Sequence, residues 1–326
     1  MARVLTTAAG GDIGIGAIQA LQKSEHETIA VDMDPHAAGI YIADYGTTVP
    51  PVTNEQWAVV MKQVVRDYDV DVVILLLDQE LRELDYLQSE LSDEIPVIVP
   101  RPELIQKTMD KKEMYEYFEQ CGLRIPKTTV GNESPESDNL QLPKIAKPRY
   151  GQGSHGVETI YTRDEFQAYF EKFDVEPENV LIQELIEGPE YTSNITATNN
   201  NRLLSIVTKE VPKRDGYTAL GITRDNPKVR EACRNVFKKT DPAGPINAQH
   251  ILDTDGTPHL IEINPRFSGS SCLTVEAGVN EFDLLVRDAL GDSVEPVNEY
   301  KTDLSMIRHT NQIYIEEQKM QTCDHE

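Results

Sequence analysis

The chain has 326 residues, of which 39% are apolar and 26% are charged. These proportions are typical of a folded globular protein with two or three packed subdomains, and they exclude a largely disordered chain. Acidic residues outnumber basic ones by 55 to 31, and the net charge of −24 argues against nucleic acid or an anionic membrane as a general partner.

The cysteines are widely spaced, and no two of them form a C-x-x-C pair: they are Cys121, Cys233, Cys272 and Cys323. This pattern signals neither a zinc site nor a disulfide framework. The longest aliphatic run, residues 72–77, is too short to span a bilayer. We therefore expect a cytoplasmic protein that has no membrane partner.

The first hundred residues alternate predicted strands and helices. Apolar runs predict strands at 3–8, 28–34, 71–78 and 96–100, with helices at 16–23, from 57 onward and at about 79–89. Thr53 and Gln56 have the spacing of a capping box for the second of these helices. This alternation predicts a doubly wound parallel sheet that binds its ligands at the carboxyl ends of the strands.

A glycine-rich turn follows the first strand, and Gly10, Gly14 and Gly16 are spaced as in the nicotinamide-binding loop of short-chain dehydrogenases. An oxidoreductase is therefore one alternative. Those enzymes use a Tyr-x-x-x-Lys pair, however, and none of the 13 tyrosines has lysine four residues later. The turn could instead bring Gly10 and Gly11 to a substrate carboxylate or phosphate at a helix N-terminus, or permit tight packing. Asp32 could be a ribose ligand or a strand-end residue.

From residue 100 onward the pattern changes from α/β to α+β. Asp110 and Glu113 are spaced to cap a helix that stops at Gly122, and a polar loop is predicted at 131–139. Antiparallel strands are expected from 191 to about 291, and the last residues look unstructured. No internal repeat is visible. We predict domains at 1–100, 101–190 and 191–315, followed by a tail at 316–326.

Residues 144–157 combine a strand ending at Lys147 with closely spaced small residues before another strand: Gly151, Gly153, Ser154 and Gly156. Glycines spaced in this way let backbone N–H groups approach phosphate oxygens, and the lysine supplies positive charge. The alternative is an ordinary glycine hairpin. The segment is not a Walker A loop, because no glycine in the chain is followed by lysine.

Residues 246–271 contain two predicted strands around a turn at 255–256. The period of two puts Glu262 and Asn264 on one face of the second strand, and Gln249 on the partner strand can face them. One carboxylate and two amide oxygens suit octahedral Mg²⁺ or Mn²⁺. The alternative is a hairpin with a polar outer face. His250 and His259 are expected on the opposite face.

A third segment, residues 180–191, combines an apolar strand, a turn at Gly188 and the carboxylate of Glu190. Such a strand can offer backbone groups to an adenine edge, which leaves Glu190 for ribose hydroxyls.

Four motifs in order resemble the ATP-grasp superfamily, and in particular the large subunit of carbamoyl phosphate synthetase and its stand-alone relatives. They are Asp110-Lys111, KPRYGQGSHGV from Lys147, QELIEGPEY from Gln183 and EINPR from Glu262. The resemblance spans about 100–291, and the preceding unit looks like the pre-ATP-grasp domain of that superfamily. It implies a doubly wound pre-ATP-grasp domain followed by a two-subdomain α+β ATP-grasp fold.

The resemblance also implies roles for individual residues. Lys111 and Lys147 would hold ATP phosphates beneath a mobile flap at 151–156, and Arg266 would stabilise the transferring phosphoryl group. Glu190 would bind the ribose. The adenine pocket would be lined by Gln183, Glu184, Leu185 and Ile186, and Mg²⁺ would be held by Gln249, Glu262 and Asn264.

The activity that the resemblance implies is ATP-dependent ligation of a carboxylate to an amine or ammonia through an acyl phosphate. A single set of motifs implies one phosphorylation, so carbamoyl phosphate is not the expected product. The expected partners are small molecules, with a homodimer possible. Candidate substrate-side residues are Gly10, Gly11, Asp78, Glu80, Ser268 and Ser270.

Two questions stay open at this point. Lys209, Lys213 and Arg214 could contact phosphate or substrate, but a solvated basic loop is the favoured interpretation of the segment around them. A non-catalytic nucleotide-binding protein on the same fold is a further alternative, although intact Glu262, Asn264 and Arg266 argue against it.

Overall fold

Three β-sheets organise the part of the chain that the structure describes. The computed structural model describes residues 1–91, 95–131, 142–151, 153 and 155–321. Within these residues the sheets have five, four and six strands. The predicted polar loop at 131–139 lies outside the described residues except for Gly131, and so does Ser154.

The first sheet is entirely parallel and has the strand order β3-β2-β1-β4-β5. Its strands are β1 (Arg3–Thr6), β2 (Glu27–Asp32), β3 (Tyr45–Thr48), β4 (Val72–Ile74) and β5 (Val97–Ile98). The predicted doubly wound parallel sheet is therefore confirmed. Strand β3 was not predicted, because its sequence YGTT has no run of apolar residues.

The helices of this first unit are α1 (Asp12–Gln22), α2 (Ala38–Ile42), α3 (Trp57–Asp67), α4 (Asp78–Arg82) and α5 (Leu84–Glu90). The predicted capping box at Thr53 and Gln56 is wrong. Gln56 is itself the residue before α3 and gives no side-chain cap, and its N–H donates to Asn54 Oδ1 at 2.8 Å. The helix predicted at 79–89 is two short helices that meet at Glu83.

The second sheet is antiparallel, with the order β6-β9-β7-β8. Its region contains, in chain order, α6 (Pro102–Thr108), α7 (Lys111–Gln120), β6 (Thr128–Val130), β7 (Lys144–Pro148), β8 (Glu158–Ile160), α8 (Arg163–Phe173) and β9 (Val180–Glu184), with a 3-10 turn at Pro177–Asn179. Asp110 caps α7 by accepting the N–H of Lys112 at 2.9 Å. The chain leaves the helix at Gly122, whose φ of 61° favours glycine.

The third sheet is also antiparallel, with the order β14-β13-β10-β11-β12-β15. Its region contains β10 (Glu190–Ala197), β11 (Leu203–Asp215), β12 (Tyr217–Thr223), α9 (Pro227–Thr240), β13 (Pro245–Leu252), β14 (Pro258–Asn264), α10 (Ser271–Glu276), α11 (Glu281–Ala289) and β15 (Ser305–Ile307). The C-terminal residues, which were expected to be unstructured, include a short 3-10 helix at Glu317–Lys319.

The region of the parallel sheet and the region of the third sheet share one hydrophobic core. Val4 and Val72 of the parallel sheet belong to the same buried cluster as Val207, Phe267 and Phe282. Helix α1 packs against α10 and α11, with the amide of Asn280 donating to Ala20 O at 2.7 Å. This packing fixes the carboxyl end of the parallel sheet beside the segment that follows β14.

Among the residues described, no helix combines the length and apolar character needed to cross a membrane.

Candidate active site

A cleft of about 300 Å³ is lined by residues of both antiparallel sheets. Most of the residues predicted to bind nucleotide or metal line it: Lys111, Lys147, Gly151, Gly153, Gln183, Glu184, Leu185, Ile186, Glu190, Gln249 and Glu262. These residues come from five separate segments of the chain, so the fold brings together groups that the sequence keeps up to 151 residues apart, from Lys111 to Glu262.

Lys147 lies near the end of β7 with only 6% of its surface exposed. Its Nζ donates to Tyr115 Oη at 2.6 Å and to Gln183 Oε1 at 3.1 Å. Burial lowers the pKa of Lys147 to about 8, although the negative charge of Glu262 acts in the opposite direction. The Lys147 ammonium therefore lies in the wall of the cleft and is hydrogen-bonded to two neutral oxygen atoms.

Lys111 is the first residue of α7 and contacts the glycine loop. Its Nζ donates to Gly151 O at 2.6 Å and is 3.8 Å from Glu262 Oε1. Burial lowers the pKa of Lys111, and the nearby charge of Lys147 lowers it further, while Glu262 raises it. Lys111 thus links the glycine loop to the carboxylate of β14.

The glycine loop joins the paired strands β7 and β8, as predicted. Gly151, Gly153 and Gly156 have φ values of 125°, 67° and 73°, which favour glycine. Gly151 and Gly153 line the cleft. Gly156 lies outside the cleft lining and supports the loop, since a Cβ there would come within 2.8 Å of Pro148 Cγ.

The predicted metal-side residues share one face of the β13–β14 hairpin. Gln249 lies directly opposite Glu262 in the strand register, and Asn247 lies opposite Asn264. Asn264 is not part of the cleft lining but follows Glu262 by two residues on the same face.

The two histidines of this hairpin lie outside the cleft. His250 is buried, and burial lowers its pKa to about 4. His259 Nε2 lies 2.9 Å from Asp253 Oδ2. His250 lies on the opposite face from Gln249, as predicted. The prediction is wrong for His259, because the bulge in β14 makes it the register partner of Ile251, which is on the same face as Gln249 and lines the cleft.

The segment containing Lys209, Lys213 and Arg214 is part of strand β11, and the solvated-loop interpretation is wrong for two of these residues. Lys209 is fully buried, and Arg214 lines the cleft and forms an ion pair with Glu190. Only Lys213 is exposed. Charged residues around Pro212 are typical of a loop, so the sequence offered no signal for the burial of Lys209.

Arg266 follows β14 and pairs with Asp78 at the start of α4. Its Nε lies 2.8 Å from Asp78 Oδ1, and its Nη2 lies 3.3 Å from Asp78 Oδ2. Both side chains are largely buried. This two-point ion pair joins the carboxyl end of the parallel sheet to the strand that carries Glu262.

Glu80, another candidate on the substrate side, faces inward. Its Oε2 accepts hydrogen bonds from Thr7 Oγ1 at 2.6 Å, Leu77 N at 3.0 Å and Leu76 N at 3.1 Å. Burial raises the pKa of Glu80 to about 7. The contacts of this carboxylate tie the loop after β4 to β1.

Two residues of the first glycine turn make close contacts with neighbouring residues of the same sheet region. Gly10 N donates to Asp32 Oδ2 at 2.8 Å, so Asp32 holds the turn. A Cβ at Gly14 would lie 2.1 Å from Ala8 O, so Gly14 permits tight strand–helix packing. Gly11, at the N-terminus of α1, remains exposed. These contacts favour the packing interpretation over a dinucleotide loop.

The serine loop, residues 268–271, follows Arg266 and leads into α10. Ser268 and Ser270 are buried, and their hydroxyl oxygens are 2.9 Å apart. Arg308, which the sequence analysis missed, donates to Gly269 O in this loop and to Thr218 O at 2.8 Å, and it pairs with Asp12 at 2.8 Å. No motif marks Arg308, because its partners are far away in sequence.

The parallel sheet followed by two antiparallel sheets around one cleft is the architecture of the ATP-grasp class, and comparisons with known proteins agree. Residues 176–312 match the family model "ATP-grasp in the biosynthetic pathway with Ter operon", and residues 4–98 match "PylC-like, N-terminal domain". The matched region therefore carries an ATP-grasp domain, and the predicted fold class is confirmed.

Curated relatives include a carbamoyl-phosphate synthase from Methanobrevibacter smithii, 27% identical over 71% of this chain and 66% of the relative. A D-alanine–D-alanine ligase from Petrotoga mobilis is 28% identical over 59% of this chain and 65% of the relative. The chain thus spans just under two thirds of each of these proteins.

Among solved structures, the N5-carboxyaminoimidazole synthetase from Staphylococcus aureus, complexed with ADP, aligns with a TM-score of 0.76. It is 18% identical, and the alignment covers 92% of this chain and 80% of the synthetase. At this identity the likeness supports the fold.

Proposed function

We propose that the chain is an ATP- and Mg²⁺-dependent ligase that activates a carboxylate as an acyl phosphate and joins it to an amine or ammonia. The observation that carries this proposal is the convergence of Lys111, Lys147 and Glu262 on one cleft beside a glycine loop. Phosphoryl transfer asks a protein mainly for positioning and charge neutralisation, and these are the groups that supply both.

The two lysines would bind the nucleotide phosphates. The Lys147 ammonium is bonded to neutral acceptors. The Lys111 ammonium is 3.8 Å from the carboxylate of Glu262. Both charges therefore remain available to an anion. Gly151 and Gly153 line the same cleft, and their backbone N–H groups would contact phosphate oxygens there.

The adenosine would lie against the end of β9 and the residues that follow it. Glu184, Leu185 and Ile186 line the cleft there and offer backbone groups. Glu190, the proposed ribose ligand, is paired with Arg214, so the ribose hydroxyls would share this carboxylate with the guanidinium.

The residues on the metal side fit Mg²⁺. Gln249 and Glu262 are register partners that line one cleft, and among the described residues Glu262 forms one long ion pair, to Lys111. One carboxylate with amide oxygens from Gln249 and Asn264 is a hard oxygen donor set. When bound, the ion would neutralise charge on the phosphates.

In the proposed reaction a carboxylate oxygen attacks the γ-phosphorus, and the bond from that phosphorus to the bridging oxygen of ADP breaks. The amine nitrogen then attacks the acyl carbon, inorganic phosphate leaves, and the nitrogen loses a proton. Arg266 would stabilise charge on the transferring phosphoryl group. The glycine loop would exclude water from the acyl phosphate.

The proposal also assigns a separate role to each of the three predicted domains. Residues 101–190 and 191–315 would form the two halves of the nucleotide site, and 1–100 would supply the acceptor side through Gly11 and Asp78. The acceptors would be small molecules. The ion pair of Asp78 with Arg266 supports this role.

The test is to incubate the protein with MgATP, a panel of carboxylates and hydroxylamine. We expect hydroxamate and ADP to form together with the correct carboxylate, because hydroxylamine captures an acyl phosphate. Formation of AMP and pyrophosphate would overturn the acyl phosphate mechanism. MgATP binding without turnover of any carboxylate would favour a non-catalytic nucleotide-binding protein.

A further inference from the structure

Tyr115 lies on α7 against the buried side of the nucleotide cleft. Its side chain is almost fully buried, and its phenol oxygen accepts a hydrogen bond from Lys147 Nζ at 2.6 Å. The same phenol donates its single O–H to Ile261 O. Because a phenol has only one hydrogen, the bond with Lys147 must use an N–H of the ammonium.

Gln183 provides the second fixed acceptor for Lys147. Its Oε1 lies 3.1 Å from Lys147 Nζ, while its Nε2 donates to Thr128 Oγ1 at 2.8 Å. The bond to Thr128 holds the amide with its oxygen toward the lysine. The resemblance had placed Gln183 in the adenine pocket, but its side chain is committed to Lys147.

Together these contacts leave one N–H of Lys147 unused. A lysine ammonium has three N–H donors, and in the part of the chain that the structure describes only Tyr115 and Gln183 accept from this one. Lys147 lines the cleft, which places the remaining donor where an anion would lie.

Tyr115 also connects two separate parts of the site. Its donor bond ends on the carbonyl of Ile261, the residue before Glu262 on β14. The phenol therefore links the ammonium of β7 to the strand that carries the metal-side carboxylate. Burial raises the pKa of Tyr115, so the phenol stays neutral and keeps both bonds across the physiological pH range.

We propose that Tyr115 is a positioning residue that, with Gln183, aims the one free N–H of Lys147 at the nucleotide phosphates and fixes that aim relative to Glu262. This inference rests on the proposed nucleotide site. It assigns to Tyr115 a role that acts through Lys147 rather than through contact with the nucleotide.

Because Tyr115 acts through Lys147, its removal should change how phosphate affinity depends on pH. A purely structural tyrosine would not have this effect. An acceptor stabilises the charged form of an ammonium, so removal of the phenol oxygen lowers the pKa of Lys147 below its value of about 8. Affinity for phosphate is complete while Lys147 is protonated and falls as pH rises above that pKa. In Tyr115→Phe this fall should begin at lower pH.

The experiment is calorimetric titration of MgADP and of adenosine between pH 6.5 and 9.5, with thermal unfolding to check the fold. We expect Tyr115→Phe to bind MgADP about five- to tenfold more weakly at pH 7.5. Adenosine affinity should not change. Tyr117→Phe, on the same helix, is the matched control and should behave as wild type.

Gln183→Glu supplies a second test that does not depend on the stability of Tyr115→Phe. A carboxylate beside Lys147 raises the pKa of the lysine, so the fall in MgADP affinity should move to higher pH, opposite to the shift in Tyr115→Phe. Shifts in opposite directions would establish that both residues act through Lys147.

The outcomes separate this inference from the proposed function. If Lys147→Met weakens MgADP binding but Tyr115→Phe matches wild type in affinity and pH profile, the positioning role is overturned and the nucleotide site stands. If Tyr115→Phe weakens adenosine and MgADP equally, its role is structural and the inference fails. If the wild-type protein binds no MgADP, the proposed function falls, and this inference with it.

Discussion

Two buried lysines of this chain differ in what their N–H donors contact. Lys147 is 6% exposed and Lys209 is fully buried, and burial lowers the pKa of each to about 8. Each has one carboxylate that opposes this shift, Glu262 for Lys147 and Glu281 for Lys209. Burial and pKa therefore do not distinguish them.

The number of occupied donors does distinguish them. Lys209 Nζ donates to Asn194 Oδ1, to Thr274 Oγ1 at 2.9 Å and to Ser270 O at 3.3 Å, which uses all three N–H groups. Lys147 uses two. An incompletely satisfied buried cation needs an external partner, whereas a satisfied one needs none, so the first indicates a binding site and the second a structural network.

The network around Lys209 supports the serine loop. Asn194 donates to Glu281 and to Ser271 Oγ, the second at 2.9 Å, and Thr196 Oγ1 donates to Glu281 Oε2 at 3.1 Å. These contacts join strands β10 and β11 to helices α10 and α11. The network thus fixes the loop that follows Arg266 without facing the cleft itself.

The largest expected effect is on stability and belongs to Lys209. Lys209→Met should lower the free energy of unfolding by about 3–5 kcal/mol, because it leaves Glu281 buried without its cation. Urea denaturation measures this. Lys209→Met combined with Glu281→Gln should recover much of the loss, and a loss below about 1 kcal/mol in the single variant would contradict the assignment.

Removal of the metal-side carboxylate should strongly reduce turnover while leaving the fold intact. Glu262→Gln should reduce hydroxamate formation by about 10²–10³-fold, since the donor set loses its only charge. His259→Gln, on the same strand but outside the cleft, is the control. Equal rates in Glu262→Gln and wild type would remove the metal assignment.

Lys147→Met tests the other side of the comparison. We expect MgATP binding to weaken by about 10–100-fold, since a charge-assisted contact to phosphate is lost. The free energy of unfolding should change by no more than about 1 kcal/mol, because a desolvated charge is removed along with its two hydrogen bonds. A stability loss as large as that of Lys209→Met would erase the distinction between the lysines.

The smallest effect is the pH dependence of nucleotide affinity in the wild-type protein. The pKa of free Lys147 is about 8, and a bound phosphate raises it, so MgADP affinity is complete below about pH 8 and falls above it. The fall should approach about tenfold per pH unit. Lys147→Met should lack this dependence, and a flat wild-type profile would contradict the assignment of Lys147 as the phosphate contact.

The sequence by itself determined the local elements and the motifs. Alternating apolar runs predicted the parallel sheet, and the period of two placed Glu262 and Asn264 on one face, where the register with Gln249 and Asn247 confirms it. These features depend on neighbouring residues, so local patterns carry them. The binding roles of these residues stay predictions until they are tested.

Only the tertiary structure decided the contacts between distant segments. Asp78 and Arg266 are 188 residues apart, and Tyr115 and Lys147 are 32 apart, and no periodicity links them. Lys209 looked like part of a solvated loop because its burial depends on contacts with distant residues, here Ser270 and Thr274 at helix α10, which follow it by 61 and 65 residues. Every lysine ammonium has three N–H donors. Which of them find acceptors within the protein depends on the residues that pack around it in the folded chain.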